Sequence, residues 1–302
     1  MPHTLNKCVL RSAIGLLLLP LVFCASASGQ TAADRVGGPE SSKEAAQDFL
    51  STVEQIQKEF DSVPCKKQER LPAVRALFEK MGAKAEDIQS QKTNGVENFV
   101  VRRSAIPPAL DTVIIGAHYD FVGGGCGAVD NWTGIVTLAH LYRTIGKLSA
   151  RKNILFVAFD REEQGLVGSG AMARGIRKEE ISHYCAMINL DSFGLAVPFA
   201  LANVSSPSLI RLSEDVADQI NVPFVTATIP GAGADSSSFL KKNIPAITLS
   251  GLSKDWDSIL HSKKDQAGKI QPASVYFGYR LALSMWSRID EAPCNAFAAS
   301  RK

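Results

Sequence analysis

Five short segments carry side chains able to hold a divalent metal and activate water. They are Ala117-His118-Tyr119-Asp120, Ala128-Val129-Asp130-Asn131, Asp160-Arg161-Glu162-Glu163, Asn189-Leu190-Asp191 and Leu260-His261-Ser262. Most follow a short apolar, β-rich run, which places imidazole nitrogens and carboxylate oxygens on strand ends and loops where they can converge. Two His and several carboxylates, with no Cys pair among them, suit one or two divalent ions of the zinc type.

Each segment also has a plainer reading. His118 and Asp120 leave the same face if their strand persists, so His118 can bind a metal while Asp120 accepts the other ring N–H; an isolated His-x-Asp is more often a surface pair. Asp130 lies between a glycine cluster (Gly123, Gly124, Gly125, Gly127) and a helix. It can offer one oxygen to each of two cations, or simply cap the helix. Glu162 and Glu163 repel one another unless a cation shares them. In a loop, one can ligate while its neighbour faces a metal-bound water, which separates a ligand from a general base. Asp191 and His261 are weak evidence taken singly.

The elements that must position these residues alternate between strand and helix. Apolar spacing predicts a helix from Ser42 through Phe60 and another over Pro72–Met81. Strands are expected at 97–103, 112–117, 154–159 and 186–190, the middle two apolar enough to be buried on both faces. A helix with Ile135, Leu138, Ala139, Tyr142 and Ile145 inward follows Asp130. Helices are also expected near 169–178, 206–220, 235–242 and 272–289, with extended segments at 224–228 and 246–249. This is an α/β pattern, a mixed and largely parallel central sheet sandwiched by helices. No internal repeat is present, and residues 43–302 read as a single catalytic domain.

Residues 1–27 read as a cleaved secretory signal peptide. Lys7 and Arg11 precede the apolar stretch Ile14–Phe23, and Ala25-Ser26-Ala27 is a small-x-small cleavage site. Residues 28–42 read as a loose mature N-terminus. Export to the periplasm or medium is the expectation. The whole chain has 302 residues with 33 basic and 30 acidic; the signal segment takes two basic residues with it, leaving 31 against 30. Near-neutral charge argues against nucleic acid or an anionic membrane as partner. No later stretch is long and apolar enough to span a bilayer, so no stable membrane association is expected. Cys65, Cys126, Cys185 and Cys294 remain after cleavage and can oxidise in an exported protein. The three pairings stay open in sequence; Cys65 with Cys294 is favoured because chain ends often meet. Asn131-Trp132-Thr133 and Asn203-Val204-Ser205 match glycosylation sequons, the first discounted for its place beside the presumed site. The oligomeric state and the preferred substrate side chain carry no sequence signal.

Taken in order, the five segments resemble the co-catalytic di-zinc aminopeptidases and glutamate-carboxypeptidase-like exopeptidases of peptidase family M28. The resemblance runs from about Val113 to Asp265, and Phe159-Asp160-Arg161-Glu162-Glu163-Gln164-Gly165-Leu166-Val167-Gly168-Ser169 is its most specific part. It implies two zinc ions per chain: His118 and Asp191 complete one site, Glu163 and His261 the other, and Asp130 bridges both. Glu162 is then the general base, and Asp120 the carboxylate behind His118. Asp265 matches a recurring Asp of less certain role. The implied partner is a peptide with a free N-terminus, and the implied activity is zinc-dependent removal of N-terminal residues.

Two departures bear on specificity: Ser262 stands where many relatives have Thr, and Ser236 follows Asp235 where many have His. The glutaminyl-peptide cyclases share the fold and use a single zinc on the equivalents of Asp130, Glu163 and His261, so a cyclase is the rival enzyme. A non-catalytic binding module is the rival from another class, and it would hold no stoichiometric zinc.

Overall fold

The computed structural model describes residues 49–298. The expected signal peptide, the loose N-terminus and the start of the expected Ser42–Phe60 helix lie outside them. Strands β1 (Ile88–Thr93), β2 (Val96–Arg103), β3 (Thr112–His118), β4 (Asn153–Phe159), β5 (Tyr184–Leu190), β6 (Phe199–Leu201), β7 (Val225–Ala227) and β8 (Ala246–Ser250) form one sheet in the order β1-β2-β4-β3-β5-β8-β6-β7. Its centre is parallel: β3 pairs with β4 and β5, and β5 with β8. Antiparallel pairings join β1 to β2, β2 to β4 and β6 to β8.

Strand alternation explains why helices must cover both faces. Val113, Ile115 and Ala117 of β3 join one buried cluster, with Phe156, Ile188 and Ile247 beside them. Ile114, Val157, Met187 and Ala246 point the other way into a second cluster. The first face is covered by α1 (Val53–Lys58), α2 (Lys67–Lys80), α3 (Thr133–Ile145), α5 (Pro207–Gln219) and α7 (Pro272–Glu291); the second by α4 (Val167–Gly175) and α6 (Ser236–Leu240). With apolar side chains on both faces, β3 is buried along its whole length. No helix among the described residues is long and apolar enough to cross a membrane.

Two helix expectations are corrected, and one strand was not anticipated. The first helix does not run unbroken to Phe60. It restarts at Val53, where the Thr52 side chain accepts the Gln55 N–H and the Gln55 side chain accepts the Thr52 N–H, at 3.2 and 3.1 Å. This reciprocal cap satisfies two donors that a continuous helix would bond internally. Helix α2 begins at Lys67, so Pro72 lies within it rather than at its start. Strand β1, Ile88-Gln89-Ser90-Gln91-Lys92-Thr93, carries no apolar alternation; it forms because Asn94-Gly95, both at positive φ, turn the chain back onto β2.

The favoured Cys65–Cys294 bridge is also overturned: Cys65 bonds Cys126, and Cys185 bonds Cys294. The described chain ends do meet, the Ser51 N–H donating to the Tyr279 hydroxyl at 3.1 Å, but the partner cysteines lie at opposite ends of neighbouring strands, Cys126 past the C-terminal end of β3 and Cys185 at the start of β5. Cys65 precedes α2, whose Arg70 reaches the glycine-rich loop that holds Cys126. Cys294 follows α7 and returns to the opening turn of β5, where Cys185 stands.

Candidate metal centre

The parallel strands β3, β4 and β5 end at one edge, and the chain leaves β3 toward β4 on one side and returns to β5 on the other. Such a reversal opens a crevice at the C-terminal ends of the strands. His118 is the last residue of β3, Glu162 and Glu163 lie just past β4, and Asp191 follows β5 directly. Asp130 comes from the turn before α3, and His261 from the loop after β8.

Asp130 lies at the middle of the group. Its Oδ1 is 3.1 Å from His118 Nε2, and its Oδ2 is 3.0 Å from His261 Nε2. Asp191 Oδ1 lies 3.6 Å from the same His118 nitrogen, and Glu163 Oε2 lies 3.1 Å from the same His261 nitrogen. Two triads result, His118–Asp130–Asp191 and Asp130–Glu163–His261, each with its donor atoms within 4.8 Å of one another. They share one carboxylate, one oxygen to each. Glu163 Oε1 is buried without a hydrogen-bond partner, as expected of a donor facing a cation. Nitrogen and oxygen donors in two triads fit zinc.

Asp120 ties two of these elements together. Its carboxylate accepts the N–H groups of Glu162 and Glu163 at 3.0 and 3.3 Å, and its Oδ1 is 3.5 Å from His118 Nδ1. His118 Nδ1 is also 3.2 Å from the Asp120 main-chain oxygen. One side chain therefore orients an imidazole and the turn carrying both glutamates.

Asp265 does the same for Asp130, accepting the Val129 N–H at 2.7 Å and the Asp130 N–H at 3.2 Å. The glycine cluster explains itself here. A Cβ on Gly123 would meet the His261 carbonyl oxygen at 2.4 Å, and one on Gly125 would meet the Ser262 oxygen at 2.4 Å and the Asp265 oxygen at 2.7 Å. The loop leading to Asp130 thus packs backbone to backbone on the segment carrying His261.

Strain gathers at the same edge. Arg161, Leu166, Ser192 and His261 all hold left-handed backbone, at φ of 54°, 61°, 62° and 56°. For side chains other than Asn or Gly such φ values are uncommon and persist where surrounding contacts enforce them. Asp130 and Asn131 are joined by a cis peptide. Asn131 is buried: its side chain donates to the Leu190 carbonyl at 2.9 Å and accepts from the Gly134 and Ser192 N–H groups at 3.0 Å each. The buried side chain closes the first sequon to glycosylation.

The electrostatics reflect many carboxylates around two imidazoles. His261 is pushed up to about 10, chiefly by hydrogen bonds to Asp130 and Glu163. Burial would lower His118, but the Glu162 charge and hydrogen bonds to Asp120, Asp130 and Asp191 outweigh it and hold it above its ordinary value. Burial raises Asp130, yet hydrogen bonds to His118 and His261 bring it below the usual carboxylate range. Glu162 is pushed up to about 9, first by burial and then by neighbouring carboxylates including Asp235. Asp235 itself is fully buried with neither oxygen hydrogen-bonded, and burial pushes it up to about 7. Ser236 beside it donates to the Val204 carbonyl at 2.7 Å and sits 2.7 Å from Thr248 Oγ1.

The five expected ligands, Glu162 and Asp120 come to this edge, and Asp265 lies behind the Asp130 loop. Sequence reasoning passed over Arg70, whose guanidinium lies behind the same loop. A signal for it existed: Arg70 precedes Val74 by four and Leu77 by seven, so a cation occupies an inward-facing position of α2.

The model of peptidase family M28 matches residues 98–283. Aminopeptidase YwaD of Bacillus subtilis is 28% identical over 189 residues, covering 55% of this chain and 41% of that protein. The chain therefore spans less than half the length of this relative. Among solved structures, the LapA aminopeptidase of Legionella pneumophila superposes with a TM-score of 0.68 at 20% identity, covering 87% of this chain and 78% of that one. A glutaminyl cyclase from an Acidobacteriales bacterium superposes with a TM-score of 0.66 at 16% identity, covering 87% of this chain and 99% of that one. At these identities the two superpositions establish a common fold.

Proposed function

The chain belongs to peptidase family M28, and from that premise we propose that it is an exported zinc aminopeptidase which removes N-terminal residues from peptides. The observation that carries the reading is the shared carboxylate: Asp130 presents one oxygen to each of two imidazoles, 3.1 and 3.0 Å away, each imidazole backed by a second carboxylate. His118, Asp130 and Asp191 would hold one zinc, and Asp130, Glu163 and His261 the other. Zinc held there would supply Lewis-acid chemistry, lowering the pKa of a bound water and polarising the scissile carbonyl.

The chain's own groups do the rest. Glu162, next to the ligand Glu163 yet outside both triads, takes the proton of the attacking water and returns it to the leaving amine. Asp120 holds the Glu162 amide and the His118 ring in one frame, which keeps base and ligand in register. A free α-amine at the substrate's N-terminus supplies a cation for this acidic edge. Two disulfides accord with an oxidising compartment and so with export.

The test is hydrolysis of a panel of aminoacyl-p-nitroanilides beside cyclisation of glutaminyl peptides, with zinc content measured on the same sample. Amine release with about two zinc ions per chain, lost to a chelator, is the expected result. Cyclisation with a single zinc would move the chain to the cyclases. Neither activity and no metal would make it a binding module.

A further inference from the structure

Arg70 is 1% exposed, and among the described residues its hydrogen bonds go to carbonyls rather than to a carboxylate. Burying an unpaired guanidinium is costly, so something else must hold it there. Its Nη2 donates to the carbonyl oxygens of Cys126 and Gly127, the latter at 2.8 Å. Its guanidinium carbon lies 4.5 Å from the Phe121 ring centre and 5.2 Å from that of Trp132, and its Nε and Nη1 have no acceptor among the described residues. The compensation is electrostatic: Asp265, Asp130 and Asp120 all favour its charge, although burial still brings it down to about 10.

The loop from Gly123 to Asp130 is thus held from two sides by opposite charges. Arg70 binds its carbonyls at 126 and 127. Asp265 binds its amides at 129 and 130, and the Asp265 carbonyl accepts the Cys126 N–H at 2.8 Å. The Cys65–Cys126 bridge fastens the same loop to the approach of α2. Gly127 permits the close fit with its φ of 55°; a Cβ there would strike Phe121 and the Asp130 carbonyl oxygen.

We propose that Arg70 is a positioning residue for the bridging carboxylate: it fixes the loop so that each Asp130 oxygen faces one imidazole, and its positive charge offsets the carboxylates around both ions. The proposal rests on the zinc reading of the site. Lysine could supply one nitrogen to the two carbonyls, but it lacks the planar guanidinium that lies against the Phe121 and Trp132 rings and fixes where that nitrogen sits.

The experiment measures zinc stoichiometry and affinity by competition with a chromophoric chelator in the full chain, for wild type, Arg70→Met, Arg70→Lys and the surface control Arg75→Met. Thermal unfolding is followed on the same samples. Supporting residues of metal ligands typically contribute ~10–100-fold to metal affinity. Arg70→Met is expected to lose that much at both ions, Arg70→Lys less, and Arg75→Met nothing. A residue that only stabilises the fold would lower the melting temperature and leave affinity intact. Should Arg70→Met fail to fold, Arg70→Lys decides: weakened affinity supports the assignment and wild-type affinity overturns it. Wild type with two zinc ions and a folded Arg70→Met of equal affinity would overturn the Arg70 assignment alone. Wild type without zinc would overturn the functional reading beneath it.

Discussion

Gly125→Ala tests whether the backbone contact between the Asp130 loop and the His261 segment sets the metal geometry. The added Cβ would stand 2.4 Å from the Ser262 oxygen, whereas ordinary contact begins at 3.4 Å, so the two segments must part by about 1 Å. Both neighbours are main-chain atoms, so no side-chain rotation relieves the clash. The cost in stability is that of overpacking, ~1–3 kcal/mol. A cost in function of similar size comes on top of it, because Asp130 and His261 sit on the two parting segments and are now 3.0 Å apart. A displacement of ~1 Å at a reacting centre costs on the order of 10²-fold in rate. The assay is kcat/KM on the best aminoacyl-p-nitroanilide, with zinc content and thermal unfolding on the same preparation. Gly268→Ala is the control, since nothing lies within 4 Å of a Cβ there. Gly125→Ala with wild-type kcat/KM and two zinc ions would refute the idea that this contact holds the ligands in register.

Further outcomes are expected. Glu162→Gln keeps its zinc and loses ~10²–10⁴-fold in kcat; zinc lost with the activity would show that Glu162 and Glu163 exchange roles. Asp130→Ala loses both ions, and retention of two, measured by metal analysis, would remove the bridging role. For the zinc-free protein, the raised pKa of His261 contributes stability fully below pH ~6.5, and that contribution is lost as pH rises through about 10. Glu162, raised to about 9, adds loss in the same direction, so the melting temperature in chelator should fall from neutral to pH 10 while zinc affinity rises as those protons leave. A melting temperature that climbs over that range would contradict both assignments. Replacing Cys185 and Cys294 by Ser opens a bridge spanning 109 residues and should cost ~2–5 kcal/mol in denaturant unfolding without changing zinc affinity. Replacing Cys65 and Cys126 should lower both, because that bridge holds the Asp130 loop.

Three of the five segments were readable because each follows a strand whose burial on both faces forces an unbroken apolar run, and the polar residue just past that run is conspicuous; Asp130 and His261, which come from loops, were picked out only by the resemblance. Ile154–Phe159 before Glu162 and Met187–Leu190 before Asp191 show the rule. Strand β1 escaped because its Gln, Ser, Lys and Thr side chains bury little, and only its pairing with β2 makes it a strand. The disulfides escaped for a different reason. Nearness of chain ends is a tendency of whole domains, whereas pairing depends on which strand end each partner cysteine occupies: Cys126 lies past the C-terminal end of β3 and Cys185 at the start of β5. The supporting residues lie between these cases. Asp120 was visible because it shares a strand end with His118. Asp265 and Arg70 lie 135 and 60 positions from the carboxylate whose loop they hold, and nothing local marks the target. What sequence does display for Arg70 is an anomaly, a cation on the inward face of an amphipathic helix. Burial charges several kcal/mol for a lone ion, so such an anomaly implies an acidic counterpart somewhere in the fold. In this chain the implied counterpart is the ring of carboxylates at the ends of β3, β4 and β5.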